Sequence, residues 1–122
     1  MANVVNWFEI PVADFERAKK FYETVLAGDM HVQEMMGFKM GFFPMEGEGI
    51  GGAICHGEGY KPSLEGTRVY LNGGEDLSIP LSKVEAAGGK IILPKTKITD
   101  DIGYMAFFID TEGNHVAFHS PK

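Results

Sequence analysis

Two hydrophobic rhythms alternate along this 122-residue chain, and they come in the same order twice. The first extended run, Val4 to Val12 (VVNWFEIPV), is rich in β-branched and aromatic residues and closes at Pro11 and the turn-forming Ala13-Asp14, which predicts a strand. Asp14 then stands where its carboxylate can cap a helix, because Phe15, Ala18, Phe21, Tyr22, Val25 and Leu26 recur behind it at helical spacing. Gly28 is expected to end that helix. Three short strands follow, Met30 to Met36, Phe38 to Pro44 and Gly51 to His56, separated by Gly37 and the EGEG segment.

The second half repeats this order. TRVYLN reads as a strand, and Ser78 is expected to cap a helix with Pro80 in its first turn, Leu81, Val84 and Ala87 on one face and Gly88-Gly89 at its end. KIILP, YMAFFID and HVAFHS supply three more strands, the last two joined by the turn TEGN. With a gap of a few residues, GFFPMEGEGIGGAICH runs beside MAFFIDTEGNHVAFH, matching phenylalanine pairs, an acid-glycine turn and a terminal histidine. The pattern predicts a duplicated βαβββ unit within one domain over 1–122, module one covering about 1–60 and module two about 66–122.

Composition narrows the functional classes. A chain with 44% hydrophobic residues can bury roughly two-thirds of its unfolded surface, enough for a core without staples. The single cysteine, Cys55, excludes an intrachain disulfide and suits a reducing, cytoplasmic setting. No basic leader precedes an apolar run and no long uninterrupted apolar stretch occurs, so neither secretion nor a membrane partner is expected. A net charge of -6 argues against a nucleic-acid partner, which needs clustered Lys and Arg to release counterions, and favours neutral or cationic small molecules. GEGIGG lacks both the strand-to-helix setting and the Lys-Ser/Thr ending of a phosphate loop, and reads as a turn feeding a strand.

Two stretches carry a family resemblance. In IPVADFERAKKFYETVLAG an Asp is followed seven residues later by Phe-Tyr and then by a Val-Leu pair, while KVEAAGGKIILPKT and IDTEGNHVAF open and close the second module. In these the chain resembles the vicinal-oxygen-chelate superfamily of glyoxalases, bleomycin-binding proteins and extradiol dioxygenases, and most closely its short glyoxalase-related proteins. The resemblance covers nearly the whole length. It implies an α+β fold of two βαβββ modules whose sheets form a curved half-barrel cup, a small-molecule ligand in that cup, and a homodimer.

The resemblance also implies where a divalent metal is held, with one ligand on the first and one on the last strand of each module. Carried across from Asp14 and Phe21, those positions fall on Trp7, Ile54, Arg68 or Val69, and Ala117. None is an oxygen or nitrogen ligand of the usual kind, so no cofactor is expected.

Strand alternation assigns the remaining side chains. With Phe8, Ile10 and Val12 under the first helix, Trp7 and Glu9 point into the cup. The same argument sends His115, Ala117 and His119 inward, with His56 as the repeat partner of His119, and adds Arg68, Tyr70 and Asn72. It puts Cys55 on the helix side as a core thiol. The expected site is therefore Glu9 as candidate base in a partly apolar cup, with Trp7, His56, Arg68, Tyr70 and His119 as ligand-binding groups. Glu9, His56 and His119 also form the alternative, displaced donor set for a divalent metal, against the plainer reading that Glu9 pairs with Arg68 and the histidines are surface groups.

Three functions fit these residues. The first is a bleomycin-resistance-like binding protein without the usual metal site. The second is a lyase or isomerase acting on a small carbonyl compound, using Glu9 or a displaced metal. The third is an interaction module whose cup has been filled by its own side chains.

Overall fold

The computed structural model describes residues 3–122. Strand β1 (Trp7–Pro11) begins later than the apolar run, because its pairing begins at Trp7 opposite Gly51; Val4 is left exposed. Helix α1 (Phe15–Leu26) starts as expected, with the Asp14 carboxylate accepting from the Arg17 amide at 3.1 Å. Its end differs from expectation. Ala27 takes the left-handed turn at φ 55°, and Gly28 is needed for space, since a Cβ there would lie 2.9 Å from the Pro44 ring.

Strands β2 (His31–Met35), β3 (Phe38–Phe42) and β4 (Gly51–His56) complete module one, whose sheet has the order β1-β4-β3-β2 with β1 parallel to β4. Module two repeats it with β5 (Tyr70–Asn72), β6 (Lys90–Thr99), β7 (Gly103–Ile109) and β8 (His115–Ser120) in the order β5-β8-β7-β6, β5 parallel to β8. The fold is thus α+β, two open mixed sheets in a half-barrel.

Helix α2 (Ser78–Leu81) is a single turn, shorter than its pattern predicted. Ser78 is not its cap. Leu77 occupies that place, and Asp76 accepts from the Ser78 amide at 2.9 Å. The chain continues in tight turns with Lys83 bonded to Pro80, Val84 to Leu81 and Gly88 to Glu85, so Val84 still reaches the core without a regular helix.

One hydrophobic core joins the modules. Ile10, Val12, Phe21, Tyr22 and Ile54 from module one pack with Leu71, Leu77, Val84, Phe108 and Phe118 from module two. The TEGN turn clamps this arrangement. Asp110 is buried and accepts from the Tyr22 hydroxyl at 2.6 Å and from the amides of Glu112 and Asn114, each at 2.9 Å. Glu112 accepts from the amides of Ala13 and Asp14 and from Arg17 Nε, tying the turn to the start of α1. Asn114 donates to the Pro11 carbonyl at 2.7 Å. Among the described residues no helix is long and apolar enough to cross a membrane.

Candidate functional site

A cleft of about 1500 Å³ follows the seam between the edge strands β1 and β5. Trp7 and Glu9 line it from β1, Arg68, Tyr70 and Asn72 from β5 and the residues before it, and His115 from β8. The strands pass so that Pro11 lies beside Asn114, next to His115, while Trp7 lies at the other end beside Met45 of the β3–β4 loop.

Register sorts the module-one wall. Glu9 pairs with Ala53, and Cys55 two residues on pairs with Met40, so Trp7, Glu9, Ala53, Cys55, Met40 and Phe42 share the cup face. The Trp7 ring meets Phe42 edge-on at 5.8 Å, and Phe42 stacks with His31 at 6.1 Å. Tyr60, from the segment linking the modules, donates its hydroxyl to Glu9 Oε1 at 2.7 Å and stands edge-on to Phe38 at 5.6 Å. Its own pKa is raised, first by that bond to Glu9 and then by burial. Cys55 lies beneath this pair, its thiol pushed up to about 12 by burial and by the Glu9 charge, so it stays protonated.

Module two presents a different wall. The Arg68 guanidinium lies 4.0 Å from the Phe107 ring centroid, with the Tyr70 ring at 6.2 Å and the His115 ring at 5.3 Å from the same phenylalanine, both edge-on. Burial, and then the Arg68 charge, lower the His115 pKa, which keeps its imidazole neutral at pH 7. Its Nε2 is buried with no hydrogen-bond partner.

Of the residues singled out from sequence, the structure brings Glu9, Trp7, Arg68 and Tyr70 to the cleft. His56 does not join them. It pairs with Lys39, whose amine lies over the Phe15 ring of α1, and its Nδ1 lies 3.1 Å from the Val12 carbonyl, so it belongs to the helix side. The inward placement of His56 is therefore corrected, and with it the helix-side placement of Cys55; both come from shifting one residue along β4, which exchanges every side chain between faces. His119 does face the cup side but lies in a second, smaller recess, its Nε2 held 2.6 Å from the Ile102 carbonyl. Glu9 is held by Tyr60 and Arg68 by Phe107, rather than by each other.

These positions do not fit a divalent-metal shell. Trp7 and Ala117 have no donor for it, Ile54 is buried under α1 and Arg68 is a cation. Glu9, His56 and His119 lie on different faces or in different recesses, and among the described residues no three His, Cys, Asp or Glu side chains are grouped to hold a metal ion. Tyr60, Phe107 and His115 went unassigned in the sequence-derived site. Tyr60 lies in an aperiodic linker, Phe107 is half of a Phe-Phe pair that alternation splits between core and cup, and His115 was placed inward without a role.

Residues 4–118 match the sequence profile of the Glyoxalase/Bleomycin resistance protein/Dioxygenase superfamily. Among solved structures, the fold is similar to TnmS3, an antibiotic binding protein from a Streptomyces species, with 23% identity, a TM-score of 0.74 and coverage of 100% of this chain and 99% of that one. It is also similar to the trypanothione-dependent glyoxalase I of Leishmania major, with 16% identity, a TM-score of 0.69 and coverage of 98% and 88%. Maize glyoxalase I shares 17% identity at a TM-score of 0.67, over 94% of this chain but 43% of that one. No curated protein sequence matches the chain.

Proposed function

This chain belongs to the Glyoxalase/Bleomycin resistance protein/Dioxygenase superfamily, and we propose that within it the protein binds a small, largely apolar molecule in the β1–β5 cleft without the superfamily's usual metal site. The observation that carries this is the composition of the walls. Trp7 and Tyr70 line the two sides of the cleft and are 42% and 48% exposed, each edge-on to a half-buried phenylalanine, Phe42 or Phe107, the pattern of a surface that gains by covering with a flat ligand. Where the family's ligands are expected, Trp7 adds to that apolar surface and Ala117 is fully buried. The homodimer implied by the resemblance and the cytoplasmic location suggested by the single cysteine belong to the same reading.

The test is divalent metal content together with thermal shift. The protein should carry no stoichiometric metal and show no metal-induced stabilisation, while flat aromatic compounds raise its melting temperature. Stoichiometric metal, lost in a His56→Ala, His119→Ala double variant, would overturn the reading.

One observation favours a second reading, an enzyme acting on a small carbonyl compound. Glu9 reaches the cleft with Tyr60 hydrogen-bonded to it at 2.7 Å, a carboxylate and a hydroxyl able to exchange a proton beside a bound ligand. In that case Glu9→Gln abolishes turnover and leaves binding nearly intact.

A further inference from the structure

The charges of the cleft are separated along its length. Glu46 and Glu48 line it from the β3–β4 loop, at the end where Trp7 meets Met45. Arg68 and Lys61 line it on the module-two side, Arg68 at the opposite end where His115 adjoins the Asn114 that bonds Pro11. The carboxylate between them, Glu9, already accepts a hydrogen bond from Tyr60. Among the described residues no carboxylate forms an ion pair with Arg68.

The Arg68 guanidinium carbon lies 4.0 Å from the Phe107 ring centroid, which packs the group against the ring at the border of the cleft. Beside it is the buried, unpartnered Nε2 of His115, also against Phe107. An exposed cation without a counter-ion, packed on an apolar ring at the edge of the cleft, is the arrangement that takes a planar anion. The overall charge of -6 works against this at long range, but salt screens it within about 8 Å, and a direct contact with Arg68 lies well inside that length.

We propose that the Arg68–Phe107–His115 group is an anion subsite, and that the cup takes a flat conjugated acid whose carboxylate or phenolate lies against Arg68 while its body follows the seam toward Trp7. This rests on the small-molecule reading above and sharpens it, since overall charge alone favours neutral or cationic ligands.

The probes are 2-naphthoate and 2-naphthamide, equal in shape and different in charge, titrated while following fluorescence from Trp7, the chain's one tryptophan. Naphthoate should bind about tenfold or more tighter than naphthamide. Arg68→Met, at an exposed position, should remove that preference, bringing naphthoate down to the affinity that naphthamide shows for the same variant. Equal binding of the two probes to the unaltered protein would overturn the anion subsite and leave the small-molecule reading standing. A preference that survives in Arg68→Met would also overturn it. No response of Trp7 to either probe would count against both.

Discussion

The two modules share a strand order but not a way of closing their last hairpin. In module two the turn between β7 and β8 is a clamp, with Asp110 and Glu112 binding Tyr22, Arg17 and the amides that open α1. The corresponding acid-glycine turn of module one, running through Glu46 and Glu48, is exposed and borders the cleft. The helices diverge in the opposite sense. Module one has a capped helix of 12 residues, module two a single turn of 4, so α1 serves as a common support that the turn of the other module holds in place. One of the two turns thus holds the modules together, while the other borders the cleft.

The largest test of this comparison is to remove the acid from each turn. Glu112→Ala removes its bonds to the Ala13 and Asp14 amides and to the exposed Arg17, and should cost about 2–3 kcal/mol of unfolding free energy. Glu46→Ala should stay within about 0.5 kcal/mol. Chemical denaturation of both variants decides it; equal losses would mean that the turns are equivalent after all.

A pH profile sharpens the same contrast. Burial raises the Glu112 pKa, but the Arg17 bond and the amides of Asp14 and Ala13 outweigh it, so the net value is below the ordinary 4.5. A lowered carboxyl pKa gives stability that is complete above 4.5 and lost as pH falls through the lowered value. Melting temperatures should therefore drop more steeply below pH 4.5 in the wild type than in Glu112→Gln, and parallel curves would show that Glu112 is not the titrating group.

The other half of the clamp predicts a smaller effect. Tyr22→Phe deletes one buried hydroxyl and leaves Asp110 its bonds from Asn114 and Glu112, for a cost of about 1–2 kcal/mol in denaturant. A loss as large as that of Glu112→Ala would move the centre of the clamp to Asp110.

Much of this architecture was legible in the residues. The spacing from Asp14 through Phe21 and Val25 set the helix and its cap, and the alternation in β1 placed Trp7 and Glu9 on the cup face. What failed was register where alternation is weak. In GGAICH small and apolar residues suit either face, so His56 and Cys55 were exchanged, and only the pairing of Ile54 with Ile10 and Gly41 decides between them. The contacts of Tyr60 and Arg68 were out of reach for another reason: they join residues remote in sequence, and no local period records such a meeting.

The exchange at β4 predicts the smallest effect. Cys55 is enclosed beneath Glu9 and Tyr60 with its thiol pushed up to about 12, so alkylation by iodoacetamide at pH 8 should be negligible in the folded protein and fast in urea. Rapid labelling of the native state would contradict that placement.

The central claim, a cup that binds without metal, is tested most directly by titrating Trp7 fluorescence with a panel of flat aromatic compounds after exhaustive treatment with EDTA. The account predicts a saturable change in the stripped protein that added zinc or nickel leaves unaltered. A change that appears only when metal is restored would contradict it.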